Sequence, residues 1–287
     1  MRAVGVRHPG LQRIGGRFGI GRLLARGNSR QITTIDGDIR LELDLSVPIY
    51  RHIYYYYDID GALETHLIKR IATSDTVMID AGAHIGYFTL IGAKYAGRVY
   101  AFEPSHATFA YLERNIRLNP ALAAKVKLSE CGLSDIEDVL RFYNSQSHLW
   151  AGSLRPLDIE NSFFEEVRVL KLDDALRDEE ARVTLVKIDV EGAELDVLRG
   201  AIDTLARDKP VIVLELVQGH QARFGRTCGD VVAFLDQHGY DGYSAKLLQP
   251  GLALTPIALT SDGEADSVDA VFLPRESARD LMPKLTS

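Results

Sequence analysis

Four charged side chains in one short stretch are placed to share a reaction. Lys187, Asp189, Glu191 and Glu194 lie in Val186-Lys187-Ile188-Asp189-Val190-Glu191-Gly192-Ala193-Glu194. A carboxylate held against a polar substrate can take its proton, an effect worth about 10²–10⁴-fold in rate. An ammonium nearby can orient that acid or stabilise a developing negative oxygen. Lys187 and Asp189 are two residues apart, so in a strand both point to one face. A cation and an acid in an apolar strand are costly unless they satisfy each other. Asp189 and Glu191 are the candidate bases. Glu215 ends the apolar run Val211-Ile212-Val213-Leu214 and would converge with them from a neighbouring strand. Glu194 falls where a helix begins, a position that suits an anion.

A second chemical stretch lies about a hundred residues earlier: Val77-Met78-Ile79-Asp80-Ala81-Gly82-Ala83-His84-Ile85-Gly86. Gly82 permits a tight turn and the close approach of a ligand to the backbone. Gly86 lets the next helix pack near that turn, and Ala83 and His84 complete it. Asp80 can accept a hydrogen bond from an ammonium group. Glu103, at the end of Arg98-Val99-Tyr100-Ala101-Phe102, is placed to bind ribose hydroxyls, as an acid about 20 residues beyond such a turn often is. Its two oxygens can accept from both hydroxyls. Gly132 and Leu133 follow the next strand and are candidates for backbone and apolar contact with a base. His84 and His220 are isolated and read as local hydrogen-bond partners. Cys131 and Cys228 have no adjacent His, so zinc is not expected.

Positioning these groups requires an alternation of strands and helices. Strands are predicted at 76–80, 98–102, 125–130, 184–189 and 211–216, with helices near 86–96, 106–118, 193–206 and 227–238. Such alternation implies an α/β fold with a mainly parallel sheet covered on both faces. Residues 136–172 break the rhythm and predict an extra strand pair with a loop around Trp150. The last strands, near 242–245 and 268–273, lead to an expected antiparallel strand at the sheet edge. Upstream, Asp36-Gly37-Asp38 between two alternating runs predicts a hairpin. Tyr54 to Tyr57 read as an aromatic packing segment, and 62–72 as a short helix. The expected organisation is an arm at 1–30, a hairpin and helix extension at 31–75, the main domain at 76–278 and a tail at 279–287.

Composition limits the function. The 287 residues carry a net charge of -7, which argues against a sequence-independent grip on nucleic acid phosphates. The strand ends also lack an Asn-Pro-Pro-Tyr-like sequence. No apolar run reaches the roughly 20 residues of a membrane-spanning helix. Two cysteines point to a reducing compartment and a cytoplasmic protein. Arg2, Arg7, Arg13, Arg17, Arg22, Arg26 and Arg30 stand in a segment without acids. Removing that +7 from the total of -7 leaves -14 on the rest. The arm reads as solvated, with weak contact to an anionic membrane surface as its alternative use. Gly15-Gly16-Arg17-Phe18-Gly19-Ile20-Gly21 has no preceding strand and reads as a linker. Asp58-Ile59-Asp60-Gly61 lacks full calcium-loop spacing.

The string 80–89, Ala101-Phe102-Glu103-Pro104 and Lys187-Ile188-Asp189-Val190-Glu191-Gly192-Ala193-Glu194 together resemble the FkbM family of methyltransferases. So do Leu170-Lys171-Leu172-Asp173-Asp174 and Val213-Leu214-Glu215-Leu216. The resemblance covers roughly residues 60–275, and His84 stands where asparagine is expected. It implies a Rossmann-like sheet of seven strands that binds S-adenosylmethionine, and transfer of its methyl group to oxygen, commonly a hydroxyl of a sugar, glycolipid or polyketide. Carried over, Asp80, Gly82 and Gly86 frame the methionine end and Glu103 holds the ribose. Lys187, Asp189 and Glu191 lie at the reaction centre. A divalent metal held by the three acids is an alternative that is not favoured. Two rival readings remain. A nicotinamide-dependent oxidoreductase should carry the fuller Gly-x-Gly-x-x-Gly. A catalytically inactive binding module would keep the fold without turnover. The acceptor itself and the oligomeric state are not legible.

Overall fold

The computed structural model describes residues 29–56, 62–145, 152–157, 162–248, 252–257 and 267–286. The arm up to residue 28, the glycine stretch 15–21, Tyr57, the stretch 58–61 and Trp150 lie outside them. The chain divides into two compact units, 1–62 and 63–287.

The smaller unit holds the expected hairpin. Strands β1 (Arg30–Ile35) and β2 (Ile39–Asp44) pair antiparallel, Ile35 opposite Ile39. Asp36 and Gly37 both take positive φ in the turn, as a tight hairpin demands. Ile39, Leu41 and Leu43 are buried at alternate positions. The helix Pro48–Tyr56 follows and carries Tyr54 and Tyr55 edge to face.

The larger unit begins with the helix 62–71 and contains an eight-stranded sheet. Its strands are β3 (Val77–Ala81), β4 (Arg98–Phe102), β5 (Val126–Ser129), β9 (Val183–Ile188), β10 (Val211–Val217), β11 (Tyr240–Leu247), β12 (Leu252–Pro256) and β13 (Ser267–Pro274). They run in the order β12-β11-β13-β10-β9-β3-β4-β5. The pairs β3 to β4, β4 to β5, β3 to β9 and β9 to β10 are parallel. This is a Rossmann-like sheet, with the seven expected strands and an eighth, β12, added outside β11. Central strands are continuous apolar runs because both faces are covered; all of β3 is buried. Ile79, Phe102, Val186, Ile212 and Phe272 belong to one core cluster. Each such side chain contributes about 1.5–3 kcal/mol by leaving water.

Two expectations need correction. The last strand is antiparallel but not at the edge: β13 lies between β10 and β11. The helix expected at 193–206 is two, Glu194–Arg199 and Ile202–Asp208. A Cβ on Gly200 would stand 2.0 Å from the carbonyl oxygen of Ser134. A foreign backbone therefore occupies the space at this break. The irregular region forms a separate three-stranded sheet, with β7 (Asp138–Ser145) and β8 (Ser162–Leu170) antiparallel. Gly132 and Leu133 form its third strand, β6, beside β8 rather than an extension of β5.

The chain leaves β3 toward β4 on one side, and β9 pairs with β3 on the other. The order of strands reverses between β3 and β9, which is where open α/β sheets take their ligands.

Candidate functional site

Three strand ends are stitched together at that reversal. The Gly82 and Ala83 N–H groups both donate to the Phe102 carbonyl at 3.0 Å, and the Asp189 N–H donates to the Ala81 carbonyl at 3.0 Å. Gly82 (φ 79), His84 (φ 52) and Gly86 (φ 90) all have left-handed backbone, so the turn coils tightly on itself. At Gly86 a Cβ would press on Leu112 at 2.6 Å.

Glu103 closes this turn from β4. Its Oε2 accepts the His84 N–H at 2.9 Å, and its Oε1 accepts the Ser105 N–H at 3.0 Å. Burial pushes this carboxyl up to about 7, against the pull of those two donors. On the far side, Gly132 packs against Pro104 and Val169. That places β6 next to the residue that follows Glu103.

Lys187 is the centre of the other half. Its side chain is 3% exposed. Its Nζ lies 3.1 Å from Asp189 Oδ2 and 3.8 Å from Asp80 Oδ1, and it donates to the Gly82 carbonyl at 3.5 Å. The Phe88 ring lies below, 4.8 Å from Nζ to the centroid. Burial pulls the ammonium down, yet Asp189 and Asp80 together hold it above its ordinary range. Lys187 is thus a cation locked under the glycine turn. Asp80 is fully buried; its Oδ2 accepts the Thr89 hydroxyl at 2.6 Å, while Oδ1 has no hydrogen bond. Asp189 is open, 41% exposed.

The turn after β9 leans on the helix Gln218–Arg223, which follows β10. Glu191 Oε2 lies 3.0 Å from His220 Nδ1 and 3.6 Å from Arg223 Nη2. Glu194 is buried. It accepts the Gly192 N–H at 3.1 Å and a short hydrogen bond from Gln221. Glu215 stands opposite Asp269 in the β10–β13 register and accepts from Ser267 at 3.2 Å. Protein packed around its carboxyl, then the charge of Asp189, raises Glu215 above the ordinary carboxylate range.

The structure therefore brings Asp80, Gly82, Lys187 and Asp189 together, with Glu103 joined through the turn. Glu191 is directed to another helix, and Glu215 feels Asp189 and Glu191 through their charge. Sequence reasoning missed Glu64, from the helix 62–71. Its Oε2 is buried without a hydrogen bond. Burial pushes it to about 7, with Asp269, Lys187 and Asp189 all close enough to act on it. A lone acid in a helical first turn carries no signal of this placement. Among the described residues, no group of three His, Cys, Asp or Glu side chains is arranged to hold a metal ion. Among them, no helix is long and apolar enough to cross a membrane.

Comparison with known proteins gives the family. Residues 80–241 match the methyltransferase FkbM domain, and the chain belongs to that family. It is 36% identical over 150 residues to "Methyltransferase 1" of Beauveria bassiana, covering 45% of this chain and 59% of that one. It is 29% identical over 170 residues to the hexuronic acid methyltransferase AglP of Haloferax volcanii, covering 58% and 68%. The chain spans about three fifths of the length of the first curated relatives it matches. A crystal structure of an FkbM methyltransferase from Methylobacillus flagellatus aligns with a TM-score of 0.46 at 17% identity, covering 70% of this chain and 44% of that one.

Proposed function

We propose that the chain transfers the methyl group of S-adenosylmethionine to a hydroxyl oxygen of a small molecule or glycan. The observation that carries this reading is the joining of the Gly82 turn, Glu103 and Asp189 at neighbouring strand ends beside the point where strand order reverses. The residues fit the donor. Asp80 keeps a buried oxygen without a hydrogen bond, and Glu103 presents a carboxylate already held by two amides. Asp80, Gly82, Ala83, His84, Gly86 and Asp189 would hold its methionine end. Glu103 would hold the ribose, and Gly132 and Leu133 the base. When bound, the donor supplies a methyl group made reactive by its sulfonium.

The chain's own residues orient the acceptor and exclude water. Such positioning is worth about 7–11 kcal/mol in favourable cases. Lys187 fixes Asp80 and Asp189 and so sets the floor of the site. Asp189, Glu191 and Glu215 line the acceptor side. Carboxylates there can accept the proton that a hydroxyl acceptor must lose. The family membership supports methyl transfer, and the hexuronic acid methyltransferase among its relatives supports a sugar-like acceptor. The free thiols Cys131 and Cys228 fit a reducing, cytoplasmic setting.

Calorimetry with S-adenosylhomocysteine, followed by incubation of the protein and labelled S-adenosylmethionine with a fractionated lysate, tests the proposal. Micromolar binding and label on a carbohydrate or other hydroxylated molecule are expected. No binding would overturn the donor; label on an amine alone would overturn the oxygen acceptor.

A further inference from the structure

We propose that His220 is the base that takes the acceptor's hydroxyl proton, held for that task by Glu191. The proposal rests on the reading of this chain as an oxygen methyltransferase and adds the proton's destination. Its basis is the junction between the turn after β9 and the helix Gln218–Arg223. Glu191 sits there at φ 55, a left-handed conformation that strains a residue carrying a side chain. Strain of this kind persists only where the surroundings enforce it. Here Glu191 Oε2 lies 3.0 Å from His220 Nδ1, and Arg223 is 3.6 Å from the same oxygen. Arg223 also donates to the Glu191 carbonyl at 3.3 Å. A Cβ on the next residue, Gly192, would come 2.6 Å from the His220 carbonyl oxygen and 2.8 Å from the Phe224 ring. The turn and the helix are in direct contact.

This geometry selects a tautomer. An ionised carboxylate only accepts hydrogen bonds, so Nδ1 carries the proton and Nε2 keeps its lone pair. Among the described residues none hydrogen-bonds Nε2, and the side chain is 32% exposed. A carboxylate that orients an imidazole and favours its protonated form is the arrangement general bases use. The neighbouring acids are already committed. Asp189 is paired with Lys187, Glu191 is shared by His220 and Arg223, and Glu194 is buried in hydrogen bonds. The charged groups facing His220 are Glu191, Arg223 and Glu194. The Glu191 hydrogen bond outweighs burial and Arg223, so the imidazole titrates above its ordinary range.

In the proposed step the acceptor O–H bond breaks and its proton moves to Nε2. The oxygen's electron pair forms the new C–O bond. The donor's C–S bond breaks and its pair stays on sulfur, which becomes a neutral thioether.

The test compares the wild type with His220→Gln and Glu191→Gln, using the lysate fraction that the wild type labels. His220→Gln should cut the labelling rate by about 10²–10⁴-fold and leave S-adenosylhomocysteine affinity within about twofold. The wild-type rate should rise with pH through an inflection above about 6.5. Glu191→Gln should move that inflection down, and the NMR titration of the His220 imidazole should move with it. His220→Gln labelling at the wild-type rate while binding S-adenosylhomocysteine would overturn the proposal. So would an inflection unmoved by Glu191→Gln. A wild-type protein that binds no S-adenosylhomocysteine would overturn the methyltransferase reading as well.

Discussion

Gly82 and Asp189 touch without room for a single extra carbon: a Cβ on Gly82 would lie 1.9 Å from the Asp189 carbonyl oxygen. The obstacle is backbone, so neither partner can rotate away. Gly82→Ala also forces φ 79 on a residue with a side chain. The backbone conformation alone costs about 1–3 kcal/mol, and the collision adds to it. The variant should melt lower and lose S-adenosylhomocysteine affinity. Unchanged melting and affinity would show that the two strand ends are free to separate.

Lys187→Met should be among the most damaging substitutions in the chain. It removes the ammonium facing Asp80, which is fully buried, and Asp189. Breaking a buried pair from one side costs about 3–5 kcal/mol. Adding Asp80→Asn should recover part of the loss, because the uncompensated acid goes with it. Denaturant unfolding of the single and double variants checks this; strict additivity would dissolve the pair.

The buried Glu103 links cofactor affinity to pH. The folded chain keeps a proton there up to about pH 7, whereas an ordinary glutamate loses it near 4.5. The folded state therefore binds more protons in that window, and this group's contribution to stability falls as pH rises through it. Ribose hydroxyls donate best to the ionised form. Affinity for S-adenosylhomocysteine should thus rise between about pH 6 and pH 8. Glu103→Gln should bind weakly with a flat profile and should lose the pH slope in stability. A pH-dependent affinity surviving in Glu103→Gln would place the titrating group elsewhere.

Asp173 offers a structural contrast. Its Oδ1 accepts the Thr204 N–H at 2.9 Å and the Thr204 hydroxyl at 2.6 Å, and its Oδ2 accepts the Asp203 N–H at 2.9 Å. It satisfies the open amides at the start of the helix Ile202–Asp208 from outside that helix. Asp173→Ala should cost about 2 kcal/mol, at the upper end for a lost cap. S-adenosylhomocysteine affinity should stay unchanged at a temperature where the variant is folded, and a weakened affinity would give Asp173 a role beyond stability.

Legibility followed the physics of each element. Strands β3, β4, β9 and β10 stood out because covered parallel strands must be unbroken apolar runs. Their terminal acids stood out with them, as did the Lys187 and Asp189 pairing, a matter of spacing two along a strand. The break at Gly200 did not, because its cause is the carbonyl of Ser134, far away in sequence. The place of β13 did not, because alternation reveals that a strand exists and not which neighbour it chooses. Glu64 was passed over for the same reason, and His220 was read only as a local hydrogen-bond partner, which it is to Glu191. Each is an unremarkable residue on a helix until the fold sets it beside Lys187 or Glu191.

The insertion of β13 beside β10 makes the sheet a structure that closes late. While the polypeptide is being synthesised, β10 presents an open flank until the segment 267–274 has emerged and turned back to fill it. An unpaired apolar strand edge of that kind is a template for aggregation. Shortened products ending before Ser267 should therefore clump or be degraded even though every acid and glycine of the reaction centre is already present in them.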